Sequence, residues 1–293
     1  MSDGDARREQ ADVAPGPAPD VSRGAGATDG ATPAADLASA LRSFADEARA
    51  GGPVLVALDF DGVLAPLRDD PDESRALPEA VAALDRLGSA DGVVLALVSG
   101  RAIDDLAVRA EVPDGTWLVG SHGAERGRWV SGRLERSDLA LDAPTAALHA
   151  ELTEVLVEAV AGSTARVEHK PASVVLHTRT AAPHDAERLT ALALDLGGRP
   201  GVDAMRGKDV VELAVLHVSK GEALATLRGE LGVGTVLYAG DDVTDERAFR
   251  TLRPADVTVK VGPGETAARL RVADPSAVAG ALAHLADLLA PGA

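Results

Sequence analysis

Four short polar clusters hold the residues of this chain best suited to chemistry: Asp59-Phe60-Asp61-Gly62, Ser99-Gly100-Arg101, Ser219-Lys220-Gly221 and Gly240-Asp241-Asp242-Val243-Thr244-Asp245-Glu246. In the first, the apolar run VLVAL (54–58) leads straight into Asp59, and Asp61 follows two residues later. A carboxylate fixed at a strand end can attack an electrophile while a second, on the loop beyond, handles a proton. A lone Asp at such a place is equally well a turn or helix-capping residue. That plain reading weakens once Asp241 and Asp245 come to the same edge. At ~4 Å two like charges near a protein surface repel by roughly 4 kcal/mol, so clustered acids need a counter-ion. An all-oxygen site of few carboxylates, sharing its metal with a phosphate, suits Mg²⁺.

The other clusters supply what an anionic substrate needs. Ser99 and Gly100 offer a hydroxyl and a backbone N–H at a helix start, where the dipole favours anions; Ser before a helix is also a common N-cap. Of 29 basic residues only four are Lys, at 170, 208, 220 and 260. Where Arg serves elsewhere, a retained Lys points to a need for a compact ammonium. Lys220, in the first turn of a helix, opposes the dipole. It is either an exposed surface lysine or the cation that neutralises Asp59 and a transferring phosphoryl group.

Positioning these clusters requires a sheet. VLVALD (54–59), VVLALV (93–98), WLVG (117–120), TVLYAG (235–240) and DVTVKVG (256–262) read as short buried strands. Helical patterns occupy 78–90, 102–110, 219–231, a segment from 244, and 275–290. A short amphipathic helix at 37–50 precedes them, with Leu37, Leu41, Phe44 and Ala48 on one face. Such alternation predicts an α/β fold with a doubly wound parallel sheet covered on both faces, whose sites form at the carboxyl ends of the strands. Between about 126 and 217 the pattern changes. Strands and turns are expected at 128–142, helices at 144–161 and 183–196, two strands within 166–179, and another at 208–216. This predicts an inserted α+β domain at 126–217, with 37–125 and 218–293 forming the core. Residues 1–36, rich in Ala, Gly, Pro and Asp, read as a disordered tail.

Composition narrows the partners. The chain has 293 residues, 46% hydrophobic and 2% aromatic, with a net charge of −17 and no cysteine. The charge disfavours nucleic acid or an anionic membrane as a partner. No apolar run approaches the ~18 residues of a membrane span, and MSDGDARREQ lacks the apolar core of a secretory signal. A reducing cytoplasm is the expected location, and a monomer the expected state.

The four clusters, in this order, resemble those of the haloacid dehalogenase-like superfamily of phosphotransferases, with 126–217 where a type C2 cap would lie. LDFDGVLAP, VSGR, GSHGAE (120–125), EHK with SVVLHTR (168–179), GKDVVEL (207–213), SKG and GDDVTDE make the chain similar to the trehalose-6-phosphate phosphatase family. The resemblance implies that Asp59 is the nucleophile and Asp61 the general acid and base. It implies Mg²⁺ held by the Asp59 carboxylate, the Asp61 carbonyl and Asp241, with Asp242 and Asp245 in support and Asp245 acting through water or holding Lys220. Ser99, Gly100, Arg101 and Lys220 would meet the phosphate. Glu168, Lys170 and Glu212 would hold the hydroxyls of trehalose 6-phosphate. His122 falls in the third-strand loop, as a substrate contact or as a residue that only organises the turn. The alternatives are a related phosphatase for another sugar phosphate, a non-catalytic sugar-phosphate sensor, and a signalling receiver domain. A receiver places its acid pair and phosphorylated Asp on different strands, whereas here Asp59 and Asp61 share one loop.

Overall fold

A computed structural model describes residues 34–137, 141–216 and 218–290; most of the segment read as a tail lies outside them. The chain runs α1 (Ala34–Arg49), β1 (Val54–Leu58), α2 (Pro78–Gly88), β2 (Val93–Val98), α3 (Ile103–Arg109), β3 (Trp117–Gly120), β4 (Glu125–Val130) and β5 (Arg133–Ser137). It continues with α4 (Ala143–Ala159), β6 (Arg166–Lys170), β7 (Ser173–His177), α5 (Pro183–Leu196), β8 (Asp203–Gly207) and β9 (Val210–Ala214). The last part is α6 (Lys220–Leu231), β10 (Val236–Gly240), α7 (Val243–Thr251), β11 (Val257–Val261), β12 (Leu270–Val272) and α8 (Pro275–Leu289). Among the described residues no helix is long and apolar enough to cross a membrane.

The large sheet has the order β12-β11-β10-β1-β2-β3-β4-β5. From β12 to β3 the neighbours are parallel, while β4 and β5 are antiparallel. The chain winds from β1 outward through β2 and β3, then returns to build β10, β11 and β12 on the other side. The strand order therefore reverses between β1 and β10, the place where open α/β sheets form their binding crevice. Alternation along β1 sends Val54, Val56 and Leu58 into a core with α1, α2, α3 and α8. Leu55 and Ala57 enter a second core with α6 and α7. One residue further, the same alternation turns Asp59 toward α6 and α7.

The second sheet, β6-β7-β9-β8, is antiparallel throughout. Val174, Leu176, Val211 and Leu213 bury one face against Leu152 and Leu156 of α4 and Leu189 and Ala193 of α5. The opposite face carries Lys170, Ser173, Asp203, Met205 and Glu212, a polar surface at the same alternation.

One expectation is corrected. The start of the inserted segment at 126 placed residues 128–137 in the small sheet. They instead form the β4–β5 hairpin of the large sheet, because a tight turn at 121–124 brings β4 back along β3, with Gly120 opposite Glu125. Trp129 and Leu134 then pack against the main core. Two strands were not expected at all, β8 and β12.

Candidate active site

Asp59 and Asp241 stand just beyond the adjacent ends of β1 and β10, where Leu58 pairs with Ala239 and the Asp59 N–H donates to the Ala239 carbonyl at 3.0 Å. The Asp59 carboxylate is buried, and its Oδ1 accepts from the Phe60 N–H at 2.7 Å. Lys220 Nζ lies 2.8 Å from Asp59 Oδ2 and donates to Asp245 Oδ1 at 2.8 Å. The lysine is 1% exposed, so the surface-lysine reading falls. Burial alone would lower its pKa. Asp59, Asp245 and Asp242 outweigh that and raise it above the ordinary value, which keeps the ammonium charged. Burial drives the Asp59 carboxyl upward; Lys220 and, to a smaller extent, the Phe60 N–H oppose this.

Asp245 is the hub of the cluster. Its Oδ1 accepts from Lys220 and from the Tyr238 hydroxyl at 2.6 Å, and its Oδ2 from the N–H groups of Asp241 at 2.9 Å and Asp242 at 3.1 Å. Asp242 caps α7 in return, accepting from the Asp245 N–H at 2.9 Å. Lys220 and these bonds overcome burial and hold Asp242 at about 2.

Oxygens of Asp59, Asp241 and Asp245 lie within 4.8 Å of one another. With two donors on each oxygen, Asp245 has little capacity left for a cation. Asp59 and Asp241 are the better pair. Burial and then the neighbouring Asp245 and Asp242 push Asp241 up to about 6, against the opposing charges of Lys260 and Lys220. Its side chain presses on the peptide after Asp61: a Cβ at Gly62, whose φ is +73°, would stand 2.1 Å from Asp241 Oδ2. Two carboxylates brought this close suit a hard divalent cation.

The Ser99 loop differs from expectation in one respect. Helix α3 begins only at Ile103, and its first N–H is taken by the buried Glu125 carboxylate at 2.8 Å, which also accepts from the Ser121 hydroxyl. That helix start therefore faces a fixed anion of the protein, and the anion-favouring dipole expected there is already answered. Ser99 is buried, its hydroxyl accepting from the Arg101 N–H at 3.2 Å, while Gly100 lines the cleft described below. His122 has φ 57° and follows Ser121 at φ 47°. Its N–H donates to the Ser99 carbonyl, and its ring lies where a Gly100 Cβ would be, with Cε1 only 2.6 Å from that point. Burial and then Lys220 lower its pKa, which favours the uncharged imidazole. His122 thus organises the loop and borders the cleft as well.

An open cleft of about 880 Å³, counting the space at its mouth, separates this edge from the polar face of the small sheet. Gly100, His122, Lys220, Thr244 and Arg247 line one side; Lys170, Ser173, Asp203, Met205 and Glu212 line the other. Glu212 accepts from Ser173 Oγ at 2.6 Å and from Lys170 Nζ at 3.2 Å. Glu168 stands on the same face, but it pairs with His177 at 2.8 Å and does not line the cleft. Arg101 also lies away from it. Both its Nε and Nη2 donate to Asp61, at 2.6 and 2.7 Å. The sequence reading passed over Tyr238, Ser173, Asp203, Met205 and Arg247. Only Tyr238 carried a signal, as the single tyrosine of the chain set in a buried strand.

The trehalose-phosphatase family profile matches residues 57–276. A trehalose-phosphate phosphatase of Mycobacterium avium is 34% identical over 271 residues, which cover 88% of this chain and 68% of that protein. The trehalose-6-phosphate phosphatase of Escherichia coli is 34% identical over 218 residues, 73% of this chain and 80% of its own. A solved trehalose-6-phosphate phosphatase of Aspergillus fumigatus is similar at a TM-score of 0.61 and 25% identity, covering 87% of this chain and 99% of that one. On the profile match over residues 57–276 and on these relatives, the chain belongs to the trehalose-phosphatase family.

Proposed function

We propose that this chain hydrolyses trehalose 6-phosphate to trehalose and phosphate, with Mg²⁺ as cofactor, through a phosphoryl group carried on Asp59. The observation that carries this reading is the Asp59–Lys220 pair at the reversal point, across the cleft from the Lys170–Ser173–Glu212 group. One side suits a phosphoryl transfer, and the other offers charged and hydroxyl partners to sugar hydroxyls.

Asp59, the Asp61 carbonyl and Asp241 would hold the cation, which when bound supplies positive charge to the phosphoryl oxygens. Asp59 attacks phosphorus; the bond to the sugar oxygen breaks, and Asp61 gives that oxygen its proton. Water then attacks phosphorus, Asp61 takes its proton, and the bond to Asp59 breaks to release phosphate. Lys220, fixed by Asp245, and the Ser99 hydroxyl meet charge on the equatorial oxygens. The small sheet with α4 and α5 acts as a cap that closes on the sugar and excludes water. Lys170 and Glu212, already paired across two strands, are its sugar contacts; Glu168 joins them only if it leaves His177.

The test is phosphate release from trehalose 6-phosphate against a panel of sugar phosphates, with and without Mg²⁺. The reading predicts a clear preference for trehalose 6-phosphate and loss of turnover on chelation. Equal turnover of simple hexose phosphates would overturn the substrate, and full activity after exhaustive chelation would overturn the cofactor.

A further inference from the structure

Arg101 belongs to the segment expected to meet the phosphate, yet most of its guanidinium is engaged elsewhere. Nε and Nη2 fork onto Asp61, Nη1 donates to Asp105 at 2.6 Å, and Nη2 also donates to the Pro71 carbonyl at 2.9 Å. These contacts occupy four of the five N–H groups an arginine has. The charged end sits 5.4 Å from the centre of the Phe60 ring, and the side chain is 11% exposed. Behind it, Asp105 is also held by Arg109, which reaches Asp72 Oδ1 at 2.6 Å and the Asp72 carbonyl. A chain of alternating charges thus runs from Asp61 to the turn at 70–73.

Asp61 needs such a holder. It sits on a loop just before Gly62, and every hydrogen bond its carboxylate makes among the described residues comes from Arg101. A bidentate guanidinium–carboxylate pair fixes direction as well as distance. We propose that Arg101 is a positioning residue for proton transfer: it sets the direction in which the Asp61 carboxylate faces, backed by Asp105 and Arg109. This rests on Asp61 as the proton carrier of the proposed reaction.

Two substrates separate the possibilities. A sugar leaves as a poor alkoxide that needs the proton of Asp61, whereas 4-nitrophenolate leaves without one; both share the later hydrolysis of the phosphoryl group on Asp59. In Arg101→Met, kcat on trehalose 6-phosphate should fall about a hundredfold, the scale of one general acid–base contribution, with little change in KM. With 4-nitrophenyl phosphate the first turnover should stay near wild type in stopped flow, followed by slow later turnovers, a burst. Asp105→Asn leaves the guanidinium in place but loosens its backing. It should give the same pattern more weakly, and it carries the test if Arg101→Met fails to fold. A large rise in KM at unchanged kcat would make Arg101 a substrate contact and overturn the proposal. An equal loss of first turnover on both substrates would do the same, assigning it to the fold or the nucleophile. Wild-type turnover of trehalose 6-phosphate, measured alongside, checks the underlying reading separately.

Discussion

Tyr238 donates its hydroxyl to Asp245 Oδ1 at 2.6 Å, so a wholly buried tyrosine stands behind the carboxylate that holds Lys220. Burial first, and then Asp245, raise its pKa well above the ordinary value, so it stays a donor across the working pH range. Its ring packs 5.7 Å from that of Phe249, a contact that phenylalanine would keep. Tyr238→Phe therefore removes one donor from a buried charge and little else. The expected loss is about 1.5–3 kcal/mol of stability. Denaturant unfolding would measure it. If Asp245 aims Lys220 at the phosphoryl group, kcat should also drop several-fold; unchanged kcat at lower stability would leave the tyrosine a structural part alone.

The nucleophile can be tested without harming the fold. Asp59→Asn removes a charge that burial disfavours, and Lys220 keeps Asp245 at 2.8 Å and Asp242 at 4.0 Å. The variant should melt near wild type and show no turnover. Beryllium fluoride should form an adduct on Asp59 in the wild type. An adduct on any other residue would refute the assignment.

Asp241 links metal and proton. Burial and then its acidic neighbours lift it from 3.8 to about 6. Between those values the folded chain retains a proton that the unfolded chain has released. The contribution of this group to stability therefore falls as pH rises from about 4 to about 6, and stays low above that. The group is partly exposed, so the effect is discounted to about 1 kcal/mol. A cation on the carboxylate replaces that proton. Mg²⁺ should thus raise the melting temperature most above about pH 6 and progressively less below it. Asp241→Asn should abolish this pH-dependent shift. A shift of equal size at all pH values, or one that survives the substitution, would place the cation elsewhere.

What the sequence made legible follows from how local each cause is. An unbroken apolar run such as VLVAL can only be a buried strand here, and its two-residue alternation sends Asp59 toward α6. The helix α5 was legible because its apolar spacing and Pro183 at the first turn both lie within it. By contrast β8, DAMRG, carries Asp, Arg and Gly; it is a strand because β9 offers it an edge, which no local pattern reveals. The β4–β5 hairpin was recognised as strands but given to the wrong sheet, since its partner β3 is chosen by the turn at 121–124. The same limit applies at the site. Lys220 and Asp245 could be expected together from their motifs, whereas the fork of Arg101 onto Asp61 joins residues 40 positions apart and needed the fold.

The cap contacts give the prediction that best separates substrate from chemistry. Lys170 and Glu212 lie on the small sheet, across the cleft from Lys220, the partner of Asp59, and are joined at 3.2 Å. If they hold sugar hydroxyls, they touch the non-reacting part of the substrate. That binding closes the cap and orients the phosphate, so losing it should affect both kcat and KM. Each lost charge-assisted bond should cost roughly 1.5–3 kcal/mol, about ten- to a hundredfold in kcat/KM. In Glu212→Ala, Ser173 and Lys170 also lose their shared acceptor, so its effect should be the larger of the two. A small aryl phosphate has no sugar to contact, and its hydrolysis should hardly change. The decisive quantity is the ratio of the two activities in Lys170→Ala and Glu212→Ala relative to wild type. If both substrates fall together, the pair supports the fold. If neither falls, the Lys170–Glu212 contact is a sheet contact reaching over β7 with no part in recognition, and sugar selection must lie with Met205, Asp203 or Arg247 along the same cleft.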